Sequence, residues 1–223
     1  MGRTLGQFVE AEGIIAWLAD NVAHINDASG KGAHETSKLV KLAVSCTTCE
    51  ATKTCCWSLV VARLYEGLIV AARLRETARD TPELREELRV RAEAMEASSP
   101  YDWRMPCLFL GEAERCTVYD VRPTSCGALY VYTPPELCTI GSNAIKAYVA
   151  ANELAAATEV EEAFRQRLSL RHKVGRRYLG VLPRMALVSL EAWDRDDFRD
   201  YLRQLPWPTD AEIARWSPAA AAR

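Results

Sequence analysis

Apolar residues near the start of the chain recur at helical spacing: Leu5, Phe8, Val9, Ile14, Ile15, Trp17, Leu18, Val22 and Ile25. The run Ser29-Gly30-Lys31-Gly32 predicts the end of that helix. A second short helix is expected over residues 36–45, with Leu39, Leu42 and Ala43 facing inward. Residues 46–54 read as a loop, and a long helix is expected over 55–78, with Trp57, Val60, Val61, Leu64, Leu68 and Ala71 on its apolar face. Thr81-Pro82-Glu83 restarts a helix: Thr81 suits the N-cap, Pro82 the first helical position, and the element should run to Ala97.

Helical periodicity fails between Tyr101 and Pro135. Prolines 106, 123, 134 and 135 punctuate this stretch, which predicts turns and at most short strands around residues 117–119 and 129–132. Ser142 can cap a helix reaching Ala157 and continuing toward Arg177. Two short helices should follow Leu182-Pro183, the last introduced by the capping-box pattern Thr209-Asp210-Ala211-Glu212. The expected architecture is mainly α: a single helical domain over residues 1–223, with an irregular cysteine-rich loop layer over about residues 46–138 and room there for a short β-hairpin.

Composition limits what such a domain can be. With 223 residues, 49% of them apolar, the chain can build a core without a metal. Its formal net charge of −2 argues against a global electrostatic grip on nucleic acid or anionic lipid. The first residues lack the apolar core of a signal peptide, and the apolar run 57–72 is interrupted by Arg63 and Glu66, so no membrane span is expected. These features read as a cytoplasmic protein with a protein or small-molecule partner.

Eight cysteines carry the chemistry. Four lie in Cys46-Thr-Thr-Cys49-Glu-Ala-Thr-Lys-Thr-Cys55-Cys56; the others are Cys107, Cys116, Cys126 and Cys138. An even count fits a disulfide framework, but such frameworks belong to short secreted chains. In a long chain without an export signal, metal ligation is the stronger expectation. Thiolates select zinc or iron–sulfur clusters. Cys46 and Cys49 have the spacing that lets two thiolates face one ion. Cys55 and Cys56 are adjacent, so at a helix start their side chains diverge by about 100°, and one of them would serve a second centre, bridge or pack. Prolines 106 and 123 stiffen the approach to Cys107 and Cys126.

The combination Cys-x-x-Cys…Cys-Cys, then Cys107-Leu-Phe-Leu, then Cys116-Thr-Val-Tyr119-Asp-Val-Arg122-Pro123-Thr-Ser-Cys126 resembles the CxxCxxCC family of zinc- or iron-chelating cysteine-cluster proteins. All eight cysteines have counterparts in that pattern, which implies a metal site on Cys46, Cys49, Cys55, Cys56, Cys107, Cys116, Cys126 and Cys138. The resemblance implies an iron–sulfur cluster or zinc, and the expected use of such a site is a redox or maturation role. Through a flagellin lysine methylase in the family, it also implies the alternative of a metal- or cluster-dependent, S-adenosylmethionine-dependent protein lysine methylase. Two departures stand out. Five residues separate Cys49 from Cys55, more than the family pattern has, and Gly127 follows Cys126 where an arginine is common.

Other candidates have plainer readings. His24, His34 and His172 are the only histidines; His34 beside Glu35 could join a metal site, against a surface histidine in a turn. Arg165, Arg167, Arg171, Lys173, Arg176 and Arg177 around His172 could hold a phosphate, against a solvated helix face. Tyr119 and Arg122 could donate to thiolate sulfur or brace their loop. No phosphate loop, dinucleotide fingerprint or serine elbow is present.

Overall fold

The computed structural model describes residues 2–45, 54–100, 102–112, 114–134, 148, 151–170 and 178–216. Within them the fold is mainly α, with one two-stranded antiparallel sheet. Helix α1 (Leu5–Ala11) opens with a full capping box, in which Gln7 N–H donates to Thr4 Oγ1 and Thr4 N–H to the Gln7 side chain. Gly13, at φ 59°, turns the chain into α2 (Ile14–Val40).

This long helix corrects the expected break at residues 29–32. It runs straight through Gly30 and Gly32, because those glycines are places of close approach and do not end the helix. A Cβ on Gly30 would lie 2.8 Å from the Tyr130 hydroxyl. Tyr132 also donates to the Ala33 carbonyl at 2.9 Å. No separate helix forms over 36–45, and Leu39, expected to face inward, is 82% exposed.

The expected long helix over 55–78 divides into three pieces. A 3-10 turn (Thr54–Trp57) is followed by strand β1 (Val61–Arg63) and then by helix α3 (Leu64–Glu76). Downstream, strand β2 (Leu179–Val181) runs directly into α7 (Leu182–Trp193) in the same way. The strands pair with Val61 opposite Val181, Ala62 opposite Gly180 and Arg63 opposite Leu179. Leu64 N–H donates to Tyr178 and Leu182 N–H to Val60, both at 2.8 Å. The two strand–helix units are thus related by a local two-fold axis passing between Ala62 and Gly180. Their helices make the most extensive packing among the described elements. Both bury apolar residues on nearly every side, as expected of helices at the centre of a core. At the crossing, Gly67 and Met185 occupy the same place in their respective helices, and a Cβ on Gly67 would lie 2.5 Å from the Met185 carbonyl carbon.

The remaining elements dress this pair. Helix α4 (Pro82–Ala97) starts as the sequence predicts, with Thr81 Oγ1 accepting from Leu84 N–H at 3.2 Å. It is held to α7 by a bidentate Arg184–Glu96 pair at 2.9 and 2.8 Å. Helix α5 (Thr124–Gly127) is a single turn. Helix α6 (Ala151–Arg167) packs on α2 and ends at Arg167, with Ser169 at φ 56°; the expected start at Ser142 and extension through residues 171–177 lie outside the described residues. Three helices, not two, follow β2 among the described residues: α7, α8 (Phe198–Gln204) and α9 (Asp210–Trp216), the last with the Thr209–Glu212 capping box in place. Of the short strands allowed over 117–119 and 129–132, the described residues show isolated bridge positions only, at Cys116 and Val131. Residues 119–121 form a 3-10 turn, and the pairing potential goes instead into the 61–63 and 179–181 segments.

Candidate metal centre

Cys56, Cys107, Cys116 and Cys126 fall within the described residues and are half-buried. Cys55 has its backbone in the 3-10 turn; Cys46, Cys49 and Cys138 lie outside the described residues.

The two halves of the cysteine pattern meet through their main chains. Cys107 N–H donates to the Cys56 carbonyl at 2.6 Å. On its other side Cys107 is held from α4, where Arg91 donates to the Pro106 carbonyl at 3.0 Å. Cys116 is brought back beside this point by a tight loop. Gly111 N–H donates to Arg115 at 2.9 Å, Thr117 N–H to Phe109 at 2.8 Å, and Leu110 forms a β-bridge with Cys116. Glu114, at φ 52°, turns the tip, and Phe109, fully buried, pins the loop to the core. Cys107, Cys116 and Cys126 all pack against that core.

Cys126 sits on α5, whose N-terminus is anchored to the α3 unit. Thr124 N–H donates to Glu66 Oε1 at 2.8 Å, and Ser125 Oγ donates to the Val61 carbonyl at 2.6 Å. Glu66 is only 1% exposed, and its other oxygen accepts from Arg63 N–H at 2.7 Å, capping α3. Around it lies a polar cluster. Arg63 donates to Glu161 at 3.0 Å and to Thr158 at 3.3 Å, and Tyr65 donates to the Ala157 carbonyl at 3.4 Å. Burial raises the Tyr65 phenol well above its ordinary pKa, and the Glu66 carboxylate adds to the shift. Burial likewise raises Glu161 against the opposing pull of Arg63. Burial works against the charge of Arg63, yet Glu66 and Glu161 hold its pKa above the ordinary value. Sequence reading treated Glu66 and Arg63 only as interruptions of an apolar run; a charge inside such a run is the signal that could have found them.

Among the described residues, no three His, Cys, Asp or Glu side chains are gathered closely enough to hold a metal ion. The backbone therefore brings the segments together without assembling a complete ligand set from the described residues. His24 and His34 are exposed on α2, on a helix and not in a turn; His172 lies outside the described residues. Arg122 lies over the Tyr119 ring at 4.1 Å, the bracing arrangement, with Tyr119 61% exposed. Of the basic cluster, Arg165 pairs with Glu162 at 2.7 Å and Arg167 stacks on Trp17 at 4.4 Å; Arg171, Lys173, Arg176 and Arg177 lie outside the described residues.

Comparison with known families settles the class of the cysteine-bearing region. Residues 45–153 match the model of CxxCxxCC, described as a putative zinc- or iron-chelating domain. The matched segment is similar to that family over its whole cysteine pattern up to Cys138. No curated protein and no solved structure matches the chain. The CxxCxxCC segment begins at Ser45, whose N–H and hydroxyl both donate to the Val131 carbonyl at 2.9 and 3.0 Å, so its first residue is tied back to the far side of the cysteine-rich layer. No helix among the described residues is long and apolar enough to cross a membrane.

Proposed function

We propose that the CxxCxxCC segment holds an iron–sulfur cluster, or zinc in its place, on the thiolates of Cys46, Cys49, Cys55, Cys56, Cys107, Cys116, Cys126 and Cys138. The observation that carries this reading is the 2.6 Å bond from Cys107 N–H to the Cys56 carbonyl, which joins two cysteine groups far apart in the chain. A backbone contact of that kind fixes the approach of ligand-bearing segments before any ion arrives, and so lowers the ordering cost of binding. An all-sulfur donor set with uneven spacing suits a cluster, and the exposed histidines of α2 stand apart from it.

A cluster would supply one-electron transfer, and zinc a closed structural cross-link. What the chain itself contributes is placement: Arg91 and the Cys56 carbonyl bracket Cys107, the Phe109-anchored loop returns Cys116, and the α3 unit holds Cys126. We assign the protein a redox or maturation role toward a protein or small-molecule partner in a reducing, cytoplasmic compartment, where thiolates persist. Elemental analysis of anaerobically purified protein tests this. Iron with acid-labile sulfide and visible charge-transfer absorption is the expected result, and stoichiometric zinc in colourless protein selects the alternative ion. A folded chain that carries neither, with all eight thiols titratable, refutes the reading.

A further inference from the structure

We infer that Glu66 is the positioning residue for Cys126, and that it couples the metal segment to the paired strand–helix core. This rests on the thiolate reading above. The geometry is specific. Each Glu66 oxygen takes one main-chain N–H, Oε2 from Arg63 at the start of α3 and Oε1 from Thr124 at the start of α5. One carboxylate thus closes the first turns of two helices that lie far apart in sequence. Capping α3 alone does not require burial, since an exposed glutamate can do it. Glu66 is 1% exposed, and removing a carboxylate from water is costly unless each oxygen finds a donor.

The two-fold relation of the core sharpens the point. The residue of α7 equivalent to Glu66 is Arg184, the third in its helix, and it reaches outward to Glu96 on α4. The helix pair therefore has no general need of a carboxylate at this position. Each copy of the position instead ties down a different peripheral element: α4 in one unit, and the Cys126 turn in the other. That turn is four residues long, too short to hold its shape without outside bonds. The β1–α3 unit supplies such bonds, to Thr124 from Glu66 and to Ser125 from Val61. Buried partners that orient a metal ligand typically change affinity by about 10–100-fold when altered.

The test is a double-mutant cycle on the full chain, read as zinc affinity against a chromophoric chelator. Glu66→Gln should weaken zinc binding about 10–100-fold, and the loss should vanish when Cys126→Ser is already present. An equal loss in both backgrounds, or no loss in either, overturns the assignment, because a general effect on the fold would not depend on Cys126. Should the unaltered chain bind no metal, the thiolate reading fails by itself. The positioning claim is then decided on the metal-free protein by site-resolved alkylation and mass spectrometry. Glu66→Gln should speed labelling of Cys126 several-fold while Cys56 and Cys107 keep their rates, and equal rates for all three overturn it. If Glu66→Gln does not fold, Thr124→Pro serves. It removes the N–H that Glu66 accepts, together with the buried Thr124 hydroxyl, at a first helical position where proline is tolerated and after a residue already at ψ 154°. The same Cys126-specific acceleration is expected, and its absence counts against the assignment.

Discussion

Adding one methyl group to Gly67 should destabilise the fold at its central helix crossing. The new Cβ would lie 2.5 Å from both the carbonyl carbon and oxygen of Met185 and 2.6 Å from its Cβ. Carbon atoms in contact prefer about 3.5–4.0 Å, so α3 and α7 must separate by roughly an ångström at their crossing. The obstacle is backbone, and no side chain can rotate out of the way. Overpacking of this kind costs about 1–3 kcal/mol, sometimes more. The exchange of Gly for Ala in a helix returns up to about 1 kcal/mol, which partly offsets a cost at the top of that range. The net loss should be about 1–2 kcal/mol, or roughly 2–8 °C in melting temperature for a chain of this length. Urea denaturation of Gly67→Ala followed by far-UV circular dichroism, in the presence of chelator, measures it. A variant as stable as the parent, or more so, would show that the two helices do not cross at the described distance.

Gly127→Ala meets a different obstacle, the Asn26 amide at 2.3 Å, whose Oδ1 is buried with no donor among the described residues. Its cost of about 1–3 kcal/mol should largely disappear with Asn26→Ala, measured as a stability coupling between the two sites. Thr81→Ala removes the hydroxyl that caps α4 and should cost about 1 kcal/mol in urea denaturation. Asp80 is held below its ordinary pKa by the hydrogen bond from Arg85, with Arg75 adding to the effect against partial burial. Its contribution is therefore complete above the ordinary carboxylate value of about 3.9 and is lost as pH falls further through the folded value. Asp80→Asn should flatten the stability profile in that acid range and leave its neutral-pH slope unchanged. Chelation should raise the protease sensitivity of residues 104–134 while the helical signal of α3 and α7 persists, since those helices have their own apolar core. Parallel loss of both would refute that separation.

Local chemistry was legible in the sequence wherever it was sufficient by itself. The α4 start at Thr81-Pro82 and the Thr209–Glu212 box were readable because each cap is completed within four residues. The loss of long regular elements over the described residues 102–134 followed from the prolines there. Gly30 misled because a glycine that admits a neighbouring tyrosine looks, in one dimension, like a helix stop. Strands of three residues are too short to show alternation, and β1 finds its partner only after the cysteine-rich layer has intervened. Glu66 was hidden for the same reason, since the donor that makes its burial tolerable comes from Thr124. The cysteines were legible as a family pattern, but not the main-chain bond that draws Cys107 onto Cys56.

The order of the chain places a demand on biosynthesis. Strand β1 and helix α3 leave the ribosome early, with apolar surface on almost every side, and the unit that covers them is translated only after the cysteine-rich layer and α6. At roughly 5–20 residues per second, α3 waits about 6–24 seconds for α7. During that interval the nascent chain presents a sticky, half-finished core.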